Sequence, residues 1–137
     1  MYFMKIKESI FLFFLFCFTI SYGQVEQKPN QTKEREFIVE VYGEQLDKSS
    51  QHYKNLVDLL RNRIVFVKQS QEANEKYEKL SNMQLFNKYN NSLIKDDSFS
   101  QNFNPLKYNL VFYAKTTKVY RIDSDWLLVI NPQIIKE

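Results

Sequence analysis

Histidine occurs once in this chain, at position 52, and cysteine once, at position 17. Zinc centres built on His and Cys need several such ligands together, so that class is excluded. Glycine occurs twice, as Gly23 and Gly43. Loops that cradle phosphate through backbone amides need several glycines close together, which excludes nucleotide binding of that kind. No nucleophile elbow surrounds any serine, so a Ser-His-Asp arrangement through His52 has no local support. His52 falls in the first turn of an expected helix, off its apolar face, where a solvated surface residue is expected.

The longest apolar run is confined to the start. MYFMKIKESIFLFFLFCFTISYGQ opens with Lys5 and Lys7, and is apolar from Ile10 to Ile20 apart from Cys17 and Thr19. A basic segment, an apolar run of about 7–15 residues and small residues at the −3 and −1 positions make a secretory signal peptide. Ser21 and Gly23 fill those two positions for cleavage before Gln24, and Met4 is a second candidate start. An uncleaved anchor is the first alternative, but the run is short of the roughly 20 residues of a spanning helix. Lipidation at Cys17 is the second. Phe16 stands before it, where a small residue is usual, and Cys17 lies inside the apolar run. The expectation is a signal peptide over 1–23 and a secreted or periplasmic chain without a transmembrane segment.

Cleavage removes the only cysteine, so the exported chain has no disulfide and must rely on a hydrophobic core. It also removes Lys5, Lys7 and Glu8. Basic residues fall from 19 to 17, acidic ones from 16 to 15, and the formal charge from +3 to +2. That surplus is too small to imply nucleic acid or an anionic membrane as partner.

Residues 24–36, QVEQKPNQTKERE, are charged and free of aromatics, and read as a flexible leader. A single α+β domain is expected over 37–137. FIVEVY, from Phe37 to Tyr42, alternates as a half-buried strand ended by Gly43. Tyr53, Leu56, Val57, Leu60 and Ile64 lie on one face of a helix capped by Ser49 or Ser50. RIVFVK is expected as a second strand, with more helix as the alternative over 63–68. Ala73, Tyr77 and Leu80 suggest a short helix. Ser81 and Gln84 fit a capping box before another helix, weakened by Asn87, Asn90 and Asn91. Residues 95–105 read as a loop. KYNLVFYAK, VYRI and WLLVI then form a three-stranded antiparallel meander, with Asp123-Ser124-Asp125 as turn chemistry and Pro132 closing the last strand.

In KYNLVFYAK, Tyr108, Leu110, Phe112 and Ala114 share one face. Lys107, Asn109, Val111, Tyr113 and Lys115 share the other. Aromatics beside cations can stack on bases or sugars, so Tyr113, Lys115, Lys118, Tyr120 and Arg121 are the candidate binding face. The competing reading is an exposed sheet face stabilised by cross-strand pairs. Asp123 with Asp125, and Asp96 with Asp97, are the paired carboxylates. The glycine and later glutamate of a common calcium loop are not in place, so turns are expected. Asn30-Gln31-Thr32 and Asn90-Asn91-Ser92 match the glycosylation sequon.

With LRNRI, LSNMQLFNKYN, FNPLKYNLVFY, YRID and INPQ, the chain resembles small uncharacterised secreted proteins of the Bacteroidota over about 37–133. They share a Phe-rich signal ending in Gln and an FNPLKY-type segment followed by two strands. The resemblance implies export from a bacterial cell and carries no activity, cofactor or catalytic residue. Asn104-Pro105 reads as an extended entry to a strand. The expected function is a non-catalytic binding or accessory domain of the cell envelope, with a protein or polysaccharide partner and no cofactor or metal. A small secreted hydrolase using Asp and Glu carboxylates is the alternative.

Overall fold

A computed structural model describes residues 25–134. The expected signal peptide and its cleavage point lie outside these residues. The fold is α+β: helices and turns packed with one four-stranded antiparallel sheet. Strand β1 is Val25–Gln27, α1 is Glu34–Tyr42, and α2 is Gln51–Asp58, continued by a wide turn over Leu59–Arg63. Strand β2 is Ile64–Lys68 and α3 is the short Gln71–Asn74. Strands β3, Lys118–Arg121, and β4, Trp126–Ile130, follow a long irregular stretch. The sheet order is β1-β2-β4-β3.

The register fixes which side chains reach the core. Ile64 pairs with Ile130, Phe66 with Leu128, and Tyr120 with Leu128. Directly opposed residues point to the same face. These five share one cluster with Phe37, Ile38 and Val41 of α1 and Leu56, Leu59 and Leu60 of the second helical segment. The strand expected from RIVFVK forms, and so does the β3–β4 hairpin.

FIVEVY is helical, against the strand expected from its alternation. In a helix Phe37, Ile38 and Val41 fall on one face, and they are buried to 4, 0 and 0% exposure. Burying such a side chain is worth about 1.5–3 kcal/mol. The helix penalty of a β-branched residue is roughly 0.5 kcal/mol, so packing decides. Glu34 and Glu36 occupy the first turn, where the helix dipole favours acids. Gly43 stops the helix at φ 82°, a backbone region open to glycine.

The stretch 24–36, expected as a flexible leader, carries structure in its described part. Glu26 pairs with Val67 along the edge of the sheet. Asn30 then caps a 3-10 turn, Gln31–Lys33, by accepting from Thr32 N. Ser50 caps α2 as expected, accepting from Tyr53 N at 3.1 Å.

Three expectations in the middle of the chain do not hold. The helix through Ala73 and Leu80 ends at Asn74, whose buried side chain donates to Ser124 O of the β3–β4 turn. The capping box at Ser81 starts no helix. Leu80–Asn82 is a 3-10 turn and Met83 is extended. Asn90 instead donates to Glu40 O at 2.7 Å and accepts from Ser92 N, the local bonding by which asparagine competes with helix. KYNLVFYAK makes no strand, so the expected three-stranded meander is a hairpin that pairs with β2. Its two faces are nevertheless as expected from Tyr108 onward: Tyr108 and Leu110 are buried, and Asn109, Val111, Tyr113 and Lys115 are exposed. Lys107 departs from that pattern and is buried.

Asn104 ties this stretch to α1. Its Nδ2 donates to Phe37 O at 3.0 Å and to Glu40 Oε2 at 2.9 Å, and its Oδ1 accepts from Leu106 N at 3.1 Å. Asn104 is fully buried. Asn104→Ala should cost ~2–4 kcal/mol by leaving buried polar groups unpaired. The check is a lower urea midpoint with an unchanged slope; a wild-type midpoint would refute the role.

Candidate functional site

The five residues expected to form a binding face do not form one. Tyr120 points into the core at 7% exposure. Arg121 lines a separate cleft with Asp96, Asp97 and Asp123. Lys118 is half-buried in β3, and Lys115 is exposed in the loop before it. Tyr113 is half-exposed in that loop, with the Arg63 guanidinium 5.3 Å over its ring.

Tyr113 belongs to a different surface. Tyr42, the last residue of α1, meets His52 of α2 edge-on at 5.1 Å between ring centroids. It lies 5.4 Å from Phe86 and 5.9 Å from Tyr89, and those two rings are 6.0 Å apart. Such separations suit tilted and edge-to-face aromatic pairs. Backbone bonds fix the loop that supplies Phe86: its N donates to Lys107 O at 2.7 Å, and Asn109 N donates to Gln84 O at 2.8 Å. The Asn90 bond to Glu40 O holds the chain just past Tyr89. Tyr89 is 51% exposed and Lys88 stands over its ring.

Burial keeps the Tyr42 and Tyr113 phenols neutral. Burial pushes the Tyr42 hydroxyl up to about 12, and the neighbouring Tyr113 and Tyr89 phenols add to the rise. Burial also raises Tyr113, opposed by the Arg63 cation and reinforced by Asp58. Neutral phenols beside aromatic faces offer hydrogen bonds and apolar contact. His52 packs its ring against Tyr42 here and is exposed, in keeping with its expected surface position.

The carboxylates are engaged elsewhere. Asp123 Oδ1 accepts from Asp125 N and Trp126 N, each at 2.9 Å, and Oδ2 accepts from Phe99 N at 2.9 Å. That is the turn role expected for it, with a second task of pinning a distant loop. Asp96 Oδ2 lies 3.1 Å from the buried Lys107 Nζ, an ion pair that is not also a well-directed hydrogen bond. Asp96 N donates to Tyr108 Oη at 2.8 Å. Among the described residues no group of three or more His, Cys, Asp or Glu is placed to hold a metal ion.

Sequence reasoning missed Tyr42, Phe86 and Tyr89. They are far apart in the chain, and only the packing of α1 against the irregular stretch brings them together. Tyr42 was visible as an aromatic at the end of an apolar run, but the strand reading placed it beside Glu40.

Two predictions test these assignments. Asp123→Ala should destabilise by about 1–3 kcal/mol, since three backbone donors lose an acceptor; a wild-type melting temperature would contradict this. An unfolded tyrosine ionises near 10, so the raised Tyr42 value favours the folded state while the phenol is neutral. That contribution is full below pH 10 and is lost as pH rises from 10 to about 12. Tyr108, Tyr113 and Tyr120 are also raised, chiefly by burial, and act in the same direction. Urea midpoints should therefore fall above pH 10, and less steeply for Tyr42→Phe; equal slopes would count against the assignment.

Comparison with known proteins returned no matching family model, no similar curated protein and no similar solved structure.

Proposed function

We propose that the protein is an exported, non-catalytic domain of the cell envelope that acts by binding a protein or polysaccharide through its aromatic surface. The observation that carries the proposal is the group of rings at Tyr42, His52, Phe86 and Tyr89, spaced 5.1–6.0 Å apart, with Tyr89 and Tyr113 each 51% exposed. Grouped exposed aromatics mark interaction surfaces more often than single exposed ones do. The hydrolase alternative draws little support, because Asp123 spends both oxygens on backbone amides and Asp96 is paired with Lys107.

Export is proposed from the basic-apolar-small pattern that ends at Gly23. Among the described residues no helix is long and apolar enough to cross a membrane. The resemblance to secreted Bacteroidota proteins agrees with export and assigns no activity.

The test combines intact mass with capture from envelope extract. Protein recovered from its host should have a mass starting at Gln24. The double variant Tyr89→Ala/Tyr113→Ala should lose at least about tenfold in capture of envelope material, as expected for removing two aromatic anchors, and remain folded by circular dichroism. Undiminished capture would sink the aromatic surface as the binding site. A retained N-terminus would sink the free exported form.

A further inference from the structure

Arg63 is a buried cation that lacks a counter-ion among the described residues. It is 4% exposed, and no carboxylate lies within ion-pair distance of it. Its Nε donates to Asn131 O at 3.1 Å, its Nη2 donates to Phe112 O, and Tyr113 faces the guanidinium. Nη1 has no acceptor. Carbonyls and a ring face satisfy hydrogen bonds but do not neutralise a charge, and burying an unneutralised charge is costly. Two other cations are paired with carboxylates: Arg61 with Glu34 at 2.7 Å, and Lys107 with Asp96.

Arg63 lines a groove of about 880 Å³ between the second helical segment and residues 131–134. The size suits a small ligand or a few sugar units. Its walls are rich in carboxamides, from Gln51, Asn55, Asn62, Asn131 and Gln133. A carboxamide sets a donor and an acceptor side by side, which matches adjacent hydroxyls on a sugar ring. Two pairs along the helical segment hold this row in register. Gln51 Nε2 donates to Asn55 Oδ1, and Asn62 Nδ2 to Asp58 Oδ1, each at 2.8 Å. Tyr113, through its contact with Arg63, puts the aromatic surface beside the groove.

We infer that this groove binds an acidic saccharide, a hydroxyl-rich chain bearing a carboxylate that is held over Arg63. The carboxamides take the hydroxyls, and Tyr113 offers a ring at the edge for a sugar face. Nη1 is covered by protein in the free molecule and the other donors are bonded to carbonyls, so Arg63 attracts the carboxylate by its charge across the groove wall and not through a hydrogen bond. The inference names the ligand class for the binding function proposed above and rests on that function.

The test is an NMR titration of the exported protein with three probes: a galacturonic acid trimer, a neutral galactose trimer and sodium acetate. The acidic trimer should shift the Arg63 Nε–H and the side-chain amides of Asn62 and Asn131. The neutral trimer and acetate should each bind at least about tenfold more weakly. Asn62→Ala should weaken the acidic trimer about fivefold with an unchanged melting temperature. Equal affinity for the two trimers, shifts confined to Tyr42 and Tyr89, or acetate binding as tightly as the trimer would each overturn the inference. Glu137→Gln should leave acetate affinity unchanged; a rise would show that the Glu137 carboxylate occupies the groove, which also overturns it. If no saccharide binds while envelope capture stays sensitive to Tyr89→Ala/Tyr113→Ala, the ligand class fails and the binding function stands. If capture is also insensitive, both fail.

Discussion

The side chain of Asn104 joins parts of the chain that no sheet or helix connects. Between α3 and β3 the backbone forms only 3-10 turns and isolated bridges. A segment of that length cannot satisfy its buried polar groups through a ladder, so side chains must do it. Asn104 bonds the carbonyl of Phe37 and the carboxylate of Glu40, and caps its own turn through Leu106 N. Lys107, three residues on, pairs with Asp96 and stands 4.0 Å from Glu40. Leu106 and Tyr108 between and after them are each 1% exposed. One short turn thus fastens α1, the 95–103 loop and the 84–86 segment to a common core.

That fastening accounts for the aromatic surface. Tyr42 comes from the end of α1, and Phe86 from a segment bonded through Lys107 O. Tyr89 is followed by Asn90, bonded to Glu40 O. Each ring is therefore referred back to α1 or to the turn that grips it. Rings ordered before binding lose less conformational entropy when a partner arrives.

Regular elements were legible where local pattern and packing agree. Ile64–Lys68 is β-branched and follows an amphipathic helix with a serine cap, and both form as read. FIVEVY was ambiguous because Phe37 and Val41 share a face in either period. The arbiter was Ile38, buried in the core, which the strand reading turned outward. The faces of 108–115 were readable from alternation, since an extended chain alternates whether or not it has ladder partners. The absence of those partners was not readable. Tyr120 and Tyr113 look alike in sequence, both aromatic beside cations. Opposite Leu128 in the sheet, Tyr120 is buried in the core, whereas Tyr113 sits in a turn. Candidate residues chosen by composition were thus divided by tertiary position. Those missed, Tyr42, Phe86 and Tyr89, carry no local signal of meeting.

The central claim is that the irregular stretch is held as firmly as the sheet and so presents a preorganised aromatic surface. Hydrogen exchange of the free protein, read residue by residue, tests it most directly. Phe86 N and Asn109 N, bonded to Lys107 O and Gln84 O, should exchange on the same slow timescale as the amides of β4. Exchange of these two amides at the rate of an unstructured chain, with β4 still protected, would contradict the account.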